Sequence, residues 1–201
     1  MNIQDVKFIK SSPDLQSCPA ESLPEYAFAG RSNVGKSSLL NFLTNTKKLA
    51  KISSTPGKTR LINHYLINNS WYLVDLPGYG FARTGKKIKA DFQSFTSEYL
   101  LNRTSLACLF VLIDCRHEPL KIDLEFIHRC GEMHIPIALV FTKTDKLSEG
   151  RLLQNTDRYK RELLKTWEIL PQVFSASTVT RTGRTEILNF IDKTNRVFGS
   201  G

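Results

Sequence analysis

Residues 30–38 read GRSNVGKSS: two glycines, a lysine and two hydroxyls in an order that suits an anion gripped by backbone. Gly30 and Gly35 allow the chain to wrap closely around phosphate oxygens, so that successive N–H groups and a helix N-terminus point at the charge. Lys36 supplies a point charge to β and γ phosphates, and the Ser37 hydroxyl suits one coordination position on a Mg²⁺ ion that bridges them. Arg31, Ser32, Asn33, Val34 and Ser38 complete the candidate contact loop. The pattern G-x-x-x-x-G-K-S carries this meaning between a strand and a helix. Here it lies between the β-like EYAFAG and the helix-compatible KSSLLNFLT.

Three further stations lie downstream. Asp75 in DLPG (75–78) ends the strand-like run WYLV, where its carboxylate can hold Mg²⁺ through water while the Gly78 N–H senses a γ-phosphate; Leu76 and Pro77 belong to the same loop. Alone, DLPG reads equally as an ordinary loop. TKTD (142–145) follows IALVF, and Asp145 there can accept two hydrogen bonds from the N1–H and N2–H₂ edge of guanine. The Lys143 stem would pack over the base, with Thr142 and Thr144 completing the loop. Adenine lacks that donor pair and would leave the carboxylate unpaired at a cost of about 1–3 kcal/mol. Alone, TKTD also reads as a helix N-cap. In SAS (175–177), Ser175, Ala176 and Ser177 follow the last strand, and the Ala176 N–H is a candidate donor to guanine O6.

Each station needs a strand to carry it, and the chain supplies them in alternation with helices. LACLFVLID and IPIALVF have the continuous apolar character of parallel strands buried on both faces. RLINHYLINN and SWYLVDLPG read as a hairpin around NNS, and PQVFSAS as a final strand and loop. Helices are predicted over IKADFQSFTSEYLLN, LKIDLEFIHRCGEMH, SEGRLLQNTDRYKRELLKTW and TEILNFIDKTNRVF, with Leu124, Ile127 and Cys130 on one face of the second. The stretch TKKLAKISSTPGKTRLINHY reads largely as loop. The alternation predicts a three-layer α/β domain with a mostly parallel sheet and ligand binding at the carboxyl ends of its strands. No internal repeat or linker divides it; residues 1–22 read as an N-terminal extension packed on a domain spanning 23–201.

Composition narrows the partners. The chain has 28 Lys and Arg against 19 Asp and Glu, a net charge of +9 that favours a polyanionic partner such as nucleic acid over a merely solvated basic surface. Lys47, Lys48, Lys51, Lys58 and Arg60 form one basic cluster and Arg83, Lys86, Lys87 and Lys89 a second, with Tyr79 and Phe81 beside it as residues that either stack on an exposed base or pack. The apolar runs are too short for a membrane span and the N-terminus lacks a secretory pattern, so a cytoplasmic protein without membrane insertion is expected. Cys18, Cys108, Cys115 and Cys130 form no CxxC pair and are expected to be reduced structural thiols.

In their order the four stations resemble the G1, G3, G4 and G5 motifs of the translation-factor class of small GTPases. More closely, GRSNVGKSSLLNFL, STPGKTR, DLPGYGFA and FTKTD resemble the EngB (YihA/YsxC) family of bacterial GTPases, over nearly the whole chain. The resemblance implies a P-loop GTPase fold with one antiparallel hairpin strand, hydrolysis of GTP to GDP with Mg²⁺, and a monomer. It also implies a role in assembly of the large ribosomal subunit, through the subunit or its rRNA, with a link to cell division and septation. It places the switch threonine at Thr59 in PGKT, with Thr55 as the alternative, and brings Gly57, Lys58, Arg60 and Leu61 to the nucleotide. Ser37, Thr59 and Asp75 would then be the Mg²⁺ ligands, and Lys36, Thr59, Gly78 and Asn33 the catalytic set.

Two departures matter. Thr142 replaces the asparagine of many GTPases and should weaken one loop contact, and Tyr79 stands where Ras-like proteins carry the glutamine that orients water. Intrinsic hydrolysis is therefore expected to be slow. Asn33 either holds a K⁺ ion against the phosphates, as in certain GTPases lacking that glutamine, or only shapes the loop. Competing readings are a non-catalytic GTP-dependent RNA- or ribosome-binding module and, more remotely, a small-molecule P-loop kinase, for which TKTD is the wrong base reader.

Overall fold

The computed structural model describes residues 1–46, 49, 61–79 and 96–198. Its strands are β1 (Val6–Ser12), β2 (Glu25–Gly30), β3 (Ile62–Ile67), β4 (Trp71–Asp75), β5 (Leu106–Asp114), β6 (Ile137–Thr142) and β7 (Gln172–Ser175). The helices are α1 (Lys36–Thr44), α2 (helical over 96–102), α3 (Lys121–Glu132), α4 (Glu149–Leu163) and α5 (Arg184–Phe198). The strands form one sheet in the order β1-β3-β4-β2-β5-β6-β7. β4, β2, β5, β6 and β7 are mutually parallel, while β3 pairs antiparallel with both β1 and β4 and so, among the described strands, is the one that runs against the rest. Asn68 and Asn69 turn β3 into β4, both at positive φ (48° and 52°), the backbone sign of a type I′ hairpin turn that asparagine tolerates.

Alternation along β2 and β5 builds the three layers. Tyr26, Phe28, Phe110 and Leu112 pack on one face against Leu39, Leu40 and Leu43 of α1 and Ile187 and Ile191 of α5. Ala27, Ala29, Leu109 and Val111 pack on the other against Tyr99 of α2, Ile127 and Cys130 of α3, and Tyr159 and Leu163 of α4. Sequence reasoning assigns no strand to Val6–Ser12. This edge strand carries Lys7, Phe8, Ile9 and Lys10 exposed in succession with a register shift between Phe8 and Lys10, so the in–out alternation that marks a strand is lost. Cys18, Cys108, Cys115 and Cys130 are free thiols, the last three buried. Among the described residues no helix is long and apolar enough to cross a membrane.

Because the central strands are parallel, Gly30, Asp75, Asp114, Thr142 and Ser175 end β2, β4, β5, β6 and β7 at the same edge of the sheet. That edge collects the motifs.

Candidate nucleotide-binding site

The loop after β2 is shaped by left-handed backbone at Asn33 (φ 64°) and Gly35 (φ 104°). At Gly35 any side chain would be strained, and a Cβ there would meet Lys143 Cε at 3.7 Å. Val34 is buried between them as the loop's apolar anchor, while Ser32, Asn33, Ser37 and Ser38 are exposed. α1 begins directly after Gly35 with no capping side chain and no acid in its first turn, which leaves its free N–H groups to an anion.

Lys36 and Asp75 form an ion pair across the site, Asp75 buried at the end of β4. Burial pulls the Lys36 ammonium down to about 8. Leu76 N–H donates to Phe28 O at 3.1 Å and Tyr79 N–H to Gly30 O at 3.3 Å, so the DLPG turn continues alongside the phosphate loop. The donor set fits a hard divalent ion: an exposed Ser37 hydroxyl beside Lys36 and the Asp75 carboxylate. Among the described residues no cluster of three or more His, Cys, Asp or Glu forms.

Gly35, Ser38, Thr142, Lys143, Asp145 and Ala176 line one cavity of about 120 Å³. Three separate motifs thus converge on it. Thr142 is well employed despite standing in place of asparagine: its hydroxyl donates to Val34 O at 2.6 Å, with Ile113 O at 3.2 Å as the alternative. Lys143 sits at φ 60°, which is strained for a lysine, and its Nζ donates to Asn33 O at 2.6 Å and to Asp114 Oδ2 at 2.9 Å. The Ser177 hydroxyl donates to Asp145 Oδ1 at 2.7 Å, and this bond lowers the Asp145 carboxyl below its usual range. Ser177 Oγ in turn accepts from the N–H groups of Val179 and Thr180, each at 3.1 Å, so the Asp145 carboxylate is held by a side chain that is itself fixed. Ala176 corrects an expectation: its N–H donates to Phe141 O at 2.8 Å within the β6–β7 pairing instead of facing a base.

Sequence reasoning missed Asp114. It is buried, and although burial opposes ionisation, Arg116 and Lys143 hold its carboxyl far below the usual range. Arg116 donates Nε to Oδ1 at 2.9 Å and Nη2 to Oδ2 at 2.7 Å. The signal was an acid closing an otherwise apolar buried strand, LACLFVLID.

Of the two roles open to Tyr79, base stacking or packing, the structure favours packing. Tyr79 is buried, stacked on Phe126 of α3 with ring centroids 4.2 Å apart and planes 18° apart. Leu61 lies half-buried just before β3, and Leu76, Pro77 and Gly78 run from Asp75 toward Tyr79. Gly57, Lys58, Thr59 and Arg60, the alternative Thr55, both basic clusters and Phe81 lie outside the described residues.

The family model described as "50S ribosome-binding GTPase" matches residues 25–143. The chain is 56% identical over 196 residues to the "Probable GTP-binding protein EngB" of Porphyromonas gingivalis, covering 98% of each, and 56% identical over 200 residues to that of Bacteroides fragilis, covering 100% of each. Among solved structures it resembles a "probable GTP-binding protein engB" with TM-score 0.69 at 22% identity, over 86% of this chain and 98% of that one. It also resembles a bacterial selenocysteine-specific elongation factor with TM-score 0.64 at 20% identity, over 87% of this chain and 29% of that one. With 56% identity to those relatives over nearly the full length of both chains and a fold that matches, the chain belongs to the EngB family of GTPases.

Proposed function

We propose that this protein binds GTP with Mg²⁺, hydrolyses it slowly to GDP and phosphate, and uses the difference between the two states as a switch in assembly of the large ribosomal subunit, on which normal septation depends. The observation that carries the reading is the convergence of Gly35, Lys143 and Asp145 on one cavity, beside the Lys36–Asp75 pair. Lys36 would exchange its carboxylate partner for the β and γ phosphates, which turns Asp75 free to face the metal. Mg²⁺ supplies charge neutralisation on those phosphates. Asp145 accepts the guanine donor pair, Lys143 covers the base, and the Gly78 N–H meets the γ-phosphate only in the GTP state. Thr59, and Asn33 with a K⁺ ion, complete the catalytic proposal. The family model's description and the net charge of +9 support a ribosomal RNA partner.

The buried Tyr79 favours a second reading, a GTP-dependent ribosome-binding module without hydrolysis of its own, because its ring is stacked on Phe126 and its hydroxyl is bonded to Asp123. Co-sedimentation with separated ribosomal subunits in the GTP and GDP states tests the switch: GTP-dependent binding to the large subunit that weakens steeply with salt is expected, and binding that ignores nucleotide contradicts it. Single-turnover hydrolysis with and without subunits decides between the two readings. A rate that stays zero in both cases selects the module.

A further inference from the structure

At the base of the phosphate loop lies a buried carboxylate that no motif includes. Asp123, in the first turn of α3, is 1% exposed. Its Oδ2 accepts Arg31 Nε at 3.2 Å, its Oδ1 accepts the Tyr79 hydroxyl at 3.0 Å, and the Tyr159 hydroxyl of α4 lies 3.4 Å from Oδ2. Arg31 follows Gly30 in the phosphate loop, and Tyr79 follows Gly78. The two are also joined through backbone, as a parallel bridge between Arg31 and Tyr79. A Cβ on Gly78 would stand 3.0 Å from Gly30 O and 3.7 Å from Ser32 N, so the DLPG turn lies directly on the phosphate loop at this point.

We propose that Asp123 is a positioning residue for γ-phosphate recognition: by holding the Tyr79 hydroxyl and the Arg31 guanidinium together, it keeps the Gly78 amide against the phosphate loop. The inference rests on the reading that the Gly78 N–H meets the γ-phosphate. Stacking on Phe126 fixes the plane of the Tyr79 ring but leaves it free to slide, whereas the bond to Asp123 fixes its reach. Asp123 sits on a packed element, since α3 buries Ile127 and Cys130 one and two turns on in the core. The position that carries a water-orienting glutamine in Ras-like proteins is used here for an anchor. An anchored turn has already lost the conformational freedom that an unanchored one would lose when GTP binds. GDP makes no demand on Gly78, so the clamp favours GTP over GDP.

The test compares affinities for GDP and a non-hydrolysable GTP analogue in the wild type, Tyr79→Phe, Asp123→Asn and the double variant, with melting temperatures alongside. Tyr79→Phe keeps the stacked ring and decides the matter if Asp123→Asn melts early. Each single variant is expected to bind GDP within about twofold of wild type and the analogue about fivefold more weakly, the size of one hydrogen bond. The double variant should be no weaker than the weaker single one, because one clamp is broken twice. Equal losses for both nucleotides, or an unchanged preference in both variants, would overturn the proposal. A wild type that bound ATP as well as GTP would instead overturn the reading of the site, and this inference with it.

Discussion

Among the described residues, Glu25 and Asp123 are buried carboxylates that each meet an arginine and at least one tyrosine, at opposite ends of the parallel strands. At the amino end, Glu25 opens β2 and accepts Arg103 Nε at 2.9 Å together with Arg103 Nη2 and the Tyr99 hydroxyl, with His64 Nε2 at 3.6 Å. Burial alone would raise its carboxyl, but His64, Arg103 and Tyr99 overcome that and hold it at about 2. At the carboxyl end, burial dominates at Asp123: Arg31 offers Nε alone from a side chain 26% exposed, and the carboxyl stays above its usual range. The chemistry is the same and the compensation is not. The amino-end cluster is finished structure. The carboxyl-end cluster keeps an under-compensated charge where the phosphate loop and DLPG turn meet, as expected where geometry serves a ligand at the expense of local stability.

The largest effect should come from breaking the finished cluster. Arg103→Ala leaves Glu25 charged and buried, and should cost about 3–5 kcal/mol in chemical denaturation. Acid should separate the two carboxylates next. Glu25 has a folded value of about 2 against 4.5 for its ordinary one, so in that interval the unfolded chain binds the proton and the folded chain does not. Its contribution, about 3 kcal/mol, is present above pH 4.5 and is lost as the pH falls toward 2. Asp123, with its value raised, has the opposite sign, and acidification relieves its unfavourable burial. Unfolding free energy measured against pH should fall steeply in wild type and less steeply in Glu25→Gln. The smallest contrast lies in the tyrosines. Tyr99→Phe removes a donor to a well-held carboxylate and should cost about 1.5–3 kcal/mol, whereas Tyr159→Phe removes a 3.4 Å contact and should cost under about 1 kcal/mol. Equal costs would erase the distinction between the clusters.

What could be read in the sequence follows the same division between local and long-range order. KSSLLNFLT and LACLFVLID match α1 and β5 residue for residue, because helix spacing and a strand buried on both faces are local patterns. The phosphate loop and Asp145 stand out in the sequence as candidates because their motifs carry their chemistry within a few residues. Asp114, Asp123 and the hold of Ser177 on Asp145 do not, since each depends on chain segments brought together by the sheet, Asp123 with Arg31 and Tyr79 among them. The Ala176 amide was misread for a related reason: the register of β7 against β6 decides where that N–H points, and register is not visible in Ser-Ala-Ser.

The central claim, that the carboxyl edge of the sheet reads guanine through Asp145, is tested most directly by exchanging the base with the residue. Nucleotide affinities of wild type and Asp145→Asn should be measured for GTP, ATP and xanthosine triphosphate, whose base edge presents an acceptor where guanine presents a donor. Wild type should prefer GTP, and the folded variant should lose at least about tenfold in GTP affinity while gaining affinity for the xanthosine nucleotide. Unchanged GTP binding by the folded variant would contradict the account.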